Sequence, residues 1–250
     1  MSLNAKNTEW EQKRAGIWIA GLHALGAALF GLSMFPMVGL LYAVWHACAT
    51  LPVWLKLLTF SFSIGVGYFA FGLTLILLAV AFKNIFRFRI AAGLYTMYSW
   101  QGLHWAAYNS LILVANSAFL DVLRVSPFQI LFYRLMGAKV GEDVSVNTAG
   151  LADLSLLTIG DHVLIGGGTA IICHGFERGL LRLAPTKIGN FVSIGLNTIV
   201  MPDCEIGDGA VIAPCSFLAK GTRVPPKGRW GGNPARDLRA ERRAALAEEG

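Results

Sequence analysis

The chain is short of charge, and that shortage excludes an ordinary soluble domain. Only 14% of its 250 residues are charged, against 55% hydrophobic. It is also too long for a simple membrane anchor. Cysteine is scarce: Cys48, Cys173, Cys204 and Cys215 have no CxxC spacing, and one lies in an apolar run. A disulfide framework is not expected, and a reducing compartment fits. Histidine is scarce as well, with only His162 and His174 in the second half.

Charge is missing altogether between Arg14 and Lys56, and again between Lys56 and Lys83. Each gap holds a span of about 20 apolar residues. We read spans at 16–46, long enough to tilt or bend near Pro36, and at 58–82. The leading "MSLNAKNTEWEQKR" is polar and too long for a signal-peptide n-region, and the apolar run after it outlasts an h-region. Lys6, Lys13 and Arg14 precede the first span and Lys83, Arg87 and Arg89 follow the second, while the loop between carries only Lys56. That bias puts both termini in the cytoplasm, on an integral inner-membrane protein. Residues 90–120 are also uncharged, but Tyr95, Tyr98, Trp100, Gln101, His104, Trp105, Tyr108 and Asn109 suit the headgroup region. Interfacial helices are expected there, with a third span as the alternative. With no carboxylate nearby in sequence, His23, His46 and His104 are assigned packing or interfacial roles.

From Val140 a six-residue period takes over: "VGEDVS", "VNTAGL", a slip, "IGDHVL", "IGGGTA", "IICHGF", a break, then "IGNFVS", "IGLNTI", "VMPDCE", "IGDGAV", "IAPCSF", "LAKGTR". An aliphatic residue opens each hexad, Gly often follows, and the fifth position is small or β-branched. This is the signature of a parallel β-helix, whose aliphatic column is buried only by stacked neighbours. Gly at the second position is expected to allow the corners. "IGGGTA" keeps the register, so it is read as corners and not as a phosphate loop. Coils are expected at 140–158, 159–176, 188–205 and 206–223, with 177–187 ejected as a loop. The tail from Val224 onward is expected to leave the coils and end in a capping α-helix. The domain plan is a transmembrane hairpin (1–89), an interfacial connector (90–136), a β-helix (137–230) and a tail with a helix (231–250). The basic residues of 220–243 suit an anionic ligand, an anionic lipid surface or a solvated helix equally.

"YRLMGAKVG" leading into the coils and "RWGGNPAR" leaving them resemble the flanking segments of the left-handed β-helix (hexapeptide-repeat) acyltransferases. The N-terminal apolar segment, "CHGFE" and "RWGGNPAR" together are also similar to the membrane-bound C-terminal domain of ε-poly-lysine synthetase and related peptide-synthetase terminal domains, where a His-x-Phe-Glu element holds the same place. With no adenylation or carrier domain in this chain, a stand-alone relative is expected. The resemblance implies a homotrimer with clefts between neighbouring β-helices. It also implies transfer of an acyl group from acyl-CoA or an acyl-carrier protein to a hydroxyl or amine, and a His general base.

His174, fourth in its hexad and beside the break, is expected to face outward and to deprotonate the acceptor. Glu177 is a candidate to orient its imidazole, though a solvated loop residue fits it as well. Cys173 is discounted as a nucleophile because direct transfer needs none. His162 is read as surface. Asn197, Lys220, Lys227, Arg229 and Trp230 are candidates for binding the donor, Trp by stacking and the cations on phosphates. Trp230 packing under the tail is the even alternative. A β-helical zinc enzyme would need three His about one ion, so no metal is expected. A non-catalytic trimeric scaffold for a membrane biosynthetic complex is the competing function. The membrane segment suggests an amphipathic or lipid-linked acceptor. No nucleic-acid partner is expected.

Overall fold

The two charge-free stretches form long helices, α1 (Leu3–Ala47) and α2 (Val53–Ile85). The computed structural model describes residues 3–248, with side chains for 16–247 other than Ala245. The side chains of Lys6, Lys13 and Arg14, which set the expected orientation, therefore lie outside it, as do residues 249–250 of the expected tail. Gly16–Ala47 and Val53–Ile85 are each long and apolar enough to cross a membrane, and they contain the expected spans. Pro36 sits inside α1 without ending it. The helices meet through Phe30 and Phe71, with ring centroids 5.1 Å apart, and through Trp45 and Phe60 at 6.3 Å. Hydroxyls on both helices bond carbonyls one turn back, Ser33 to Leu29 and Thr74 to Ala70 among them. Ser33 is buried, and such a bond to the helix's own backbone satisfies a hydroxyl that water does not reach. Residues 1–87 and 110–119 make up this first compact unit.

Residues 88–109 and 120–250 make up the second, and the division falls inside one helix. The connector is not purely helical. It holds strand β1 (Gly93–Thr96), α3 (Trp100–Ala115), a π-helical turn over Asn116–Leu120, and α4 (Pro127–Met136). Gly137, at a φ of 113°, ends α4 in the left-handed region. Gln129 Nε2 donates to the Thr148 carbonyl at 2.7 Å, which docks α4 on the first coil.

The first coil holds β2 (Lys139–Val140) and β3 (Ser145–Val146). The second holds β4 (Leu157–Ile159), β5 (Leu164–Ile165) and β6 (Ala170–Ile171), and then β7 (His174–Glu177) and β8 (Leu180–Leu183) intervene. The third holds β9 (Thr186–Ile188), β10 (Ser193–Ile194) and β11 (Ile199–Val200). The fourth holds β12 (Glu205–Ile206), β13 (Val211–Ile212) and β14 (Phe217–Leu218). β15 (Arg223–Val224) and β16 (Arg229–Gly232) follow, and β17 (Ala235–Asp237) turns back on β16 before helix α5 (Leu238–Glu248).

Three parallel sheets result, and the aliphatic openers stack. Val140, Ile159, Ile188, Ile206 and Val224 share one column. Val146, Ile165, Ile194, Ile212 and Trp230 share the second, and Ile171, Val200 and Leu218 the third. Val224 and Trp230 thus continue the array, so the coils run past residue 223, where the tail was expected to leave them. Two buried fifth-position hydroxyls bond the next coil, Thr169 to the Gly195 carbonyl at 3.0 Å and Thr198 to the Ala213 carbonyl at 3.2 Å.

The corners correct the expectation about glycine. Positive φ falls on the fourth residue of the hexad: Asp143, His162, Gly168, Phe191, Asn197, Asp203, Gly209, Cys215, Gly221 and Lys227. The second-position glycines answer a different need, the close stacking of coils. A Cβ on Gly195 would lie 2.4 Å from the Pro214 backbone nitrogen, and backbone cannot yield as a flexible side chain can. Gly195→Ala is therefore expected to destabilise the protein by about 2 kcal/mol, read as a melting temperature lower by roughly 4–8 °C.

Candidate functional site

Two interruptions of the hexad register meet at one edge of the coils. The first follows Leu151, which bridges Ile171 in the next coil. Residues 152–156 do not fit a hexad: Asp153 turns at a φ of 52°, and a short 3-10 turn covers Leu154–Leu156. The second follows Cys173. Asp153 and Cys173 each lie two residues past that bridge, so the two interruptions are stacked neighbours.

At the second interruption the chain leaves as a β-hairpin. His174 pairs with Leu183 and Glu177 with Leu180, around a turn at Arg178 and Gly179 with φ of 49° and 80°. Two successive positive φ values suit the twist of a hairpin. Ala184 N–H bonds the Cys173 carbonyl at 2.9 Å and closes the base. β1 adds to the hairpin as a third strand, Tyr95 opposite Leu181. The ejected segment is thus 174–183, starting three residues and ending four residues earlier than the expected 177–187. The buried small residue after it is Thr186, where Gly175 was expected.

The carboxylate beside His174 is Asp153. His174 Nδ1 lies 2.6 Å from Asp153 Oδ2, and the same oxygen accepts the Cys173 backbone N–H at 2.9 Å. Asp153 Oδ1 accepts Trp105 Nε1–H and Asn109 Nδ2–H, each at 2.8 Å. Four donors thus surround a carboxylate with no exposed surface. A carboxylate only accepts, so Nδ1 carries a proton, and in the neutral imidazole the lone pair lies on Nε2. The imidazole side chain keeps 23% of its surface exposed. Trp105 meets it edge-on at 4.9 Å, and Phe176 lies at 6.0 Å.

Glu177 does not reach His174. Its carboxylate pairs with Lys220, which holds its acidity above the ordinary range. Arg182 approaches Asp203 at 3.5 Å, a second tie between hairpin and coils. Of the donor-binding candidates, Lys220 alone meets the hairpin. Asn197 and Lys227 sit at fourth-position corners on the other two edges, Arg229 is exposed on β16, and Trp230 lies in the inner column opposite Ile212. His162 is an exposed corner residue 3.1 Å from Asp143 and stacked on Phe191. Among the described residues no three His, Cys, Asp or Glu side chains are grouped to hold a metal ion.

Cys173 is fully buried, and burial, reinforced by the Asp153 charge, pushes its thiol up to about 12. A neutral thiol is a poor nucleophile. Maleimide at neutral pH is therefore expected to label exposed Cys215 in the folded protein and to reach Cys173 only after denaturation. Mass-spectrometric mapping of labelled peptides checks this, and rapid labelling of Cys173 in the native state would contradict it.

The family model described as bacterial transferase hexapeptide (six repeats) matches residues 185–220. The chain is similar to delta-poly-L-ornithine synthetase of Acinetobacter baumannii (strain AB307-0294), 29% identical over 147 residues that cover 58% of this chain. It spans only 11% of that synthetase's length. A provisionally named acetyltransferase, YvoF, of Bacillus subtilis (strain 168) is 30% identical over 142 residues, covering 53% of this chain and 81% of that protein. A solved maltose O-acetyltransferase from Clostridium difficile 630 has a TM-score of 0.45 at 21% identity, over 59% of this chain and 91% of that one. Coils, hexads and the YvoF match together define the class: the chain belongs to the hexapeptide-repeat acyltransferases, a family of enzymes.

Proposed function

We propose that this enzyme is anchored in a membrane and moves an acyl group from a pantetheine thioester to a hydroxyl or amine of an amphipathic or lipid-linked acceptor, with His174 as general base. The observation that carries the reading is the 2.6 Å contact between His174 and buried Asp153 at the break in the array. His174 Nε2 takes the acceptor's proton, and the acceptor oxygen or nitrogen attacks the thioester carbonyl. The tetrahedral oxyanion collapses, the C–S bond breaks, and His174 returns the proton to the leaving thiolate. Backbone N–H groups at the coil edge are the candidates to stabilise the oxyanion.

A homotrimer, with donor held in clefts between neighbouring coils, belongs to the same proposal. Lys220, Lys227 and Arg229 would meet donor phosphates, and Asn197 would line the remainder; Trp230, in the inner column, packs instead of stacking on the donor. Acyl-CoA is the preferred donor, and a carrier protein the alternative. Membrane anchoring is supported by the outward faces of the two helices, where Phe35 on α1 is 79% and Phe62 on α2 70% exposed. The cytoplasmic placement of coils and termini rests on the flanking charges alone.

The test is CoA release from acetyl-CoA by full-length protein in detergent, with chloramphenicol, ornithine methyl ester and membrane lipid extract as acceptors. The reading expects acceptor-dependent release with a transferable product found by mass spectrometry. Its absence for acetyl-, medium- and long-chain acyl-CoA and acyl-carrier protein alike would overturn it. Resistance to carbonate extraction from membranes is expected, and release into the supernatant would refute the anchor. The likeness to delta-poly-L-ornithine synthetase favours one variant, amide formation on an amine. A preference for ornithine methyl ester over hydroxyl acceptors would select it.

A further inference from the structure

Asp153 is not held by its own coil alone. Both donors to its Oδ1, Trp105 and Asn109, come from α3. Asn109 also accepts the Asp153 backbone N–H on its Oδ1 at 3.0 Å, so it grips the residue by side chain and main chain together. Between them on the helix, the Tyr108 hydroxyl accepts the Ser155 N–H at 3.0 Å and donates to the Met136 carbonyl at 2.7 Å. Residues three and four apart share one helix face, so Trp105, Tyr108 and Asn109 address the slipped segment 153–155 together.

That segment needs such support. Asp153 is a non-glycine residue at positive φ, a conformation kept only where the surroundings over-determine it. A carboxylate whose Oδ1 had lost its donors could swing and draw the imidazole with it. Trp105 adds a second constraint, since its indole packs edge-on against the same imidazole.

We propose that Trp105 and Asn109 are positioning residues for acyl transfer: they fix the Asp153 carboxylate, and through it the ring orientation and Nδ1–H tautomer of His174. The inference rests on the reading of His174 as base. It places part of the catalytic arrangement in α3, a helix outside the hexapeptide coils.

The test compares full-length wild type, N109A, W105F, D153N and H174A in detergent. Histidine is isotope-labelled in the ring, and the H174A spectrum identifies the His174 signal. Wild type is expected to show a slowly exchanging His174 Nδ1–H resonance, needing no acceptor. D153N loses it, and N109A and W105F broaden or lose it while the His162 signals stay in place. In the transfer assay kcat is expected to fall roughly 10–100-fold in N109A and roughly 3–10-fold in W105F, with KM for acetyl-CoA within about twofold. N109A added to D153N is expected to cost nothing further. A sharp wild-type resonance and wild-type kcat in both N109A and W105F, with H174A inactive, would overturn this inference alone. Full activity in H174A would instead remove the general-base reading. Should N109A fail to fold, W105F, which keeps an aromatic ring beside His174 while losing the N–H donor and part of the indole's bulk, decides.

Discussion

His174→Ala is expected to reduce acyl transfer by about 10³-fold while leaving the assembly and its melting temperature close to wild type. That loss corresponds to about 4 kcal/mol of transition-state stabilisation. The imidazole begins a hairpin and is half-buried, so truncating it opens no core cavity. Asp153 keeps its three other donors, from Trp105, Asn109 and the Cys173 backbone, so the buried charge is not abandoned. What disappears is the lone pair on Nε2. CoA release with the best acceptor measures the first effect, and size-exclusion chromatography with a thermal melt measures the second. Wild-type kcat in a well-folded variant would contradict the assignment.

Asp153→Asn carries the second large effect, for a different reason. The amide oxygen can still accept from Trp105 and Asn109 on the inner side. The amide nitrogen then faces the Cys173 N–H and His174 Nδ1, where two acceptors are needed. A donor beside Nδ1 favours the other tautomer, with the proton on Nε2, and an N–H cannot take the acceptor's proton. A loss on the order of 10²–10³-fold in kcat is expected, no larger than that of H174A, because the carboxylate acts through the imidazole. The N–H pair left facing each other costs about 1–3 kcal/mol of stability, so this variant, unlike H174A, should also melt earlier. Glu177→Gln supplies the contrast. It breaks an exposed pair with Lys220, and kcat is expected to fall by at most about threefold. A hundredfold loss would return Glu177 to the catalytic arrangement.

Much of the architecture was legible because it repeats. The stacked column from Val140 to Ile206 is written as an aliphatic residue every six positions, and the helices as gaps between charges. His174 was legible for the same reason, as a polar residue where a strong period stops. Asp153 was not. It is close to His174 only because consecutive coils stack, and that proximity is across 21 residues of chain. The one trace it left was the slip between "VNTAGL" and "IGDHVL", which marks a coil that departs from its hexads. Glu177, near His174 in sequence, drew attention instead, but the hairpin points it to Lys220. Strand β1 was hidden because its sequence, "GLYT", becomes a strand through pairing with β8 and not through local preference. Trp105 and Asn109 had read as interfacial residues by composition. Only their spacing on α3, opposite the slipped segment, gives them another task.

The central claim is that Asp153 works through His174, and a double-mutant cycle tests it most directly. The measurement is kcat for wild type, D153N, H174A and the D153N/H174A pair, each verified as folded. The pair is expected to match H174A alone, because an orienting carboxylate has nothing left to orient once the imidazole is gone. Losses that multiply, with the pair slower than H174A by the full D153N factor, would show two independent functions and contradict the account.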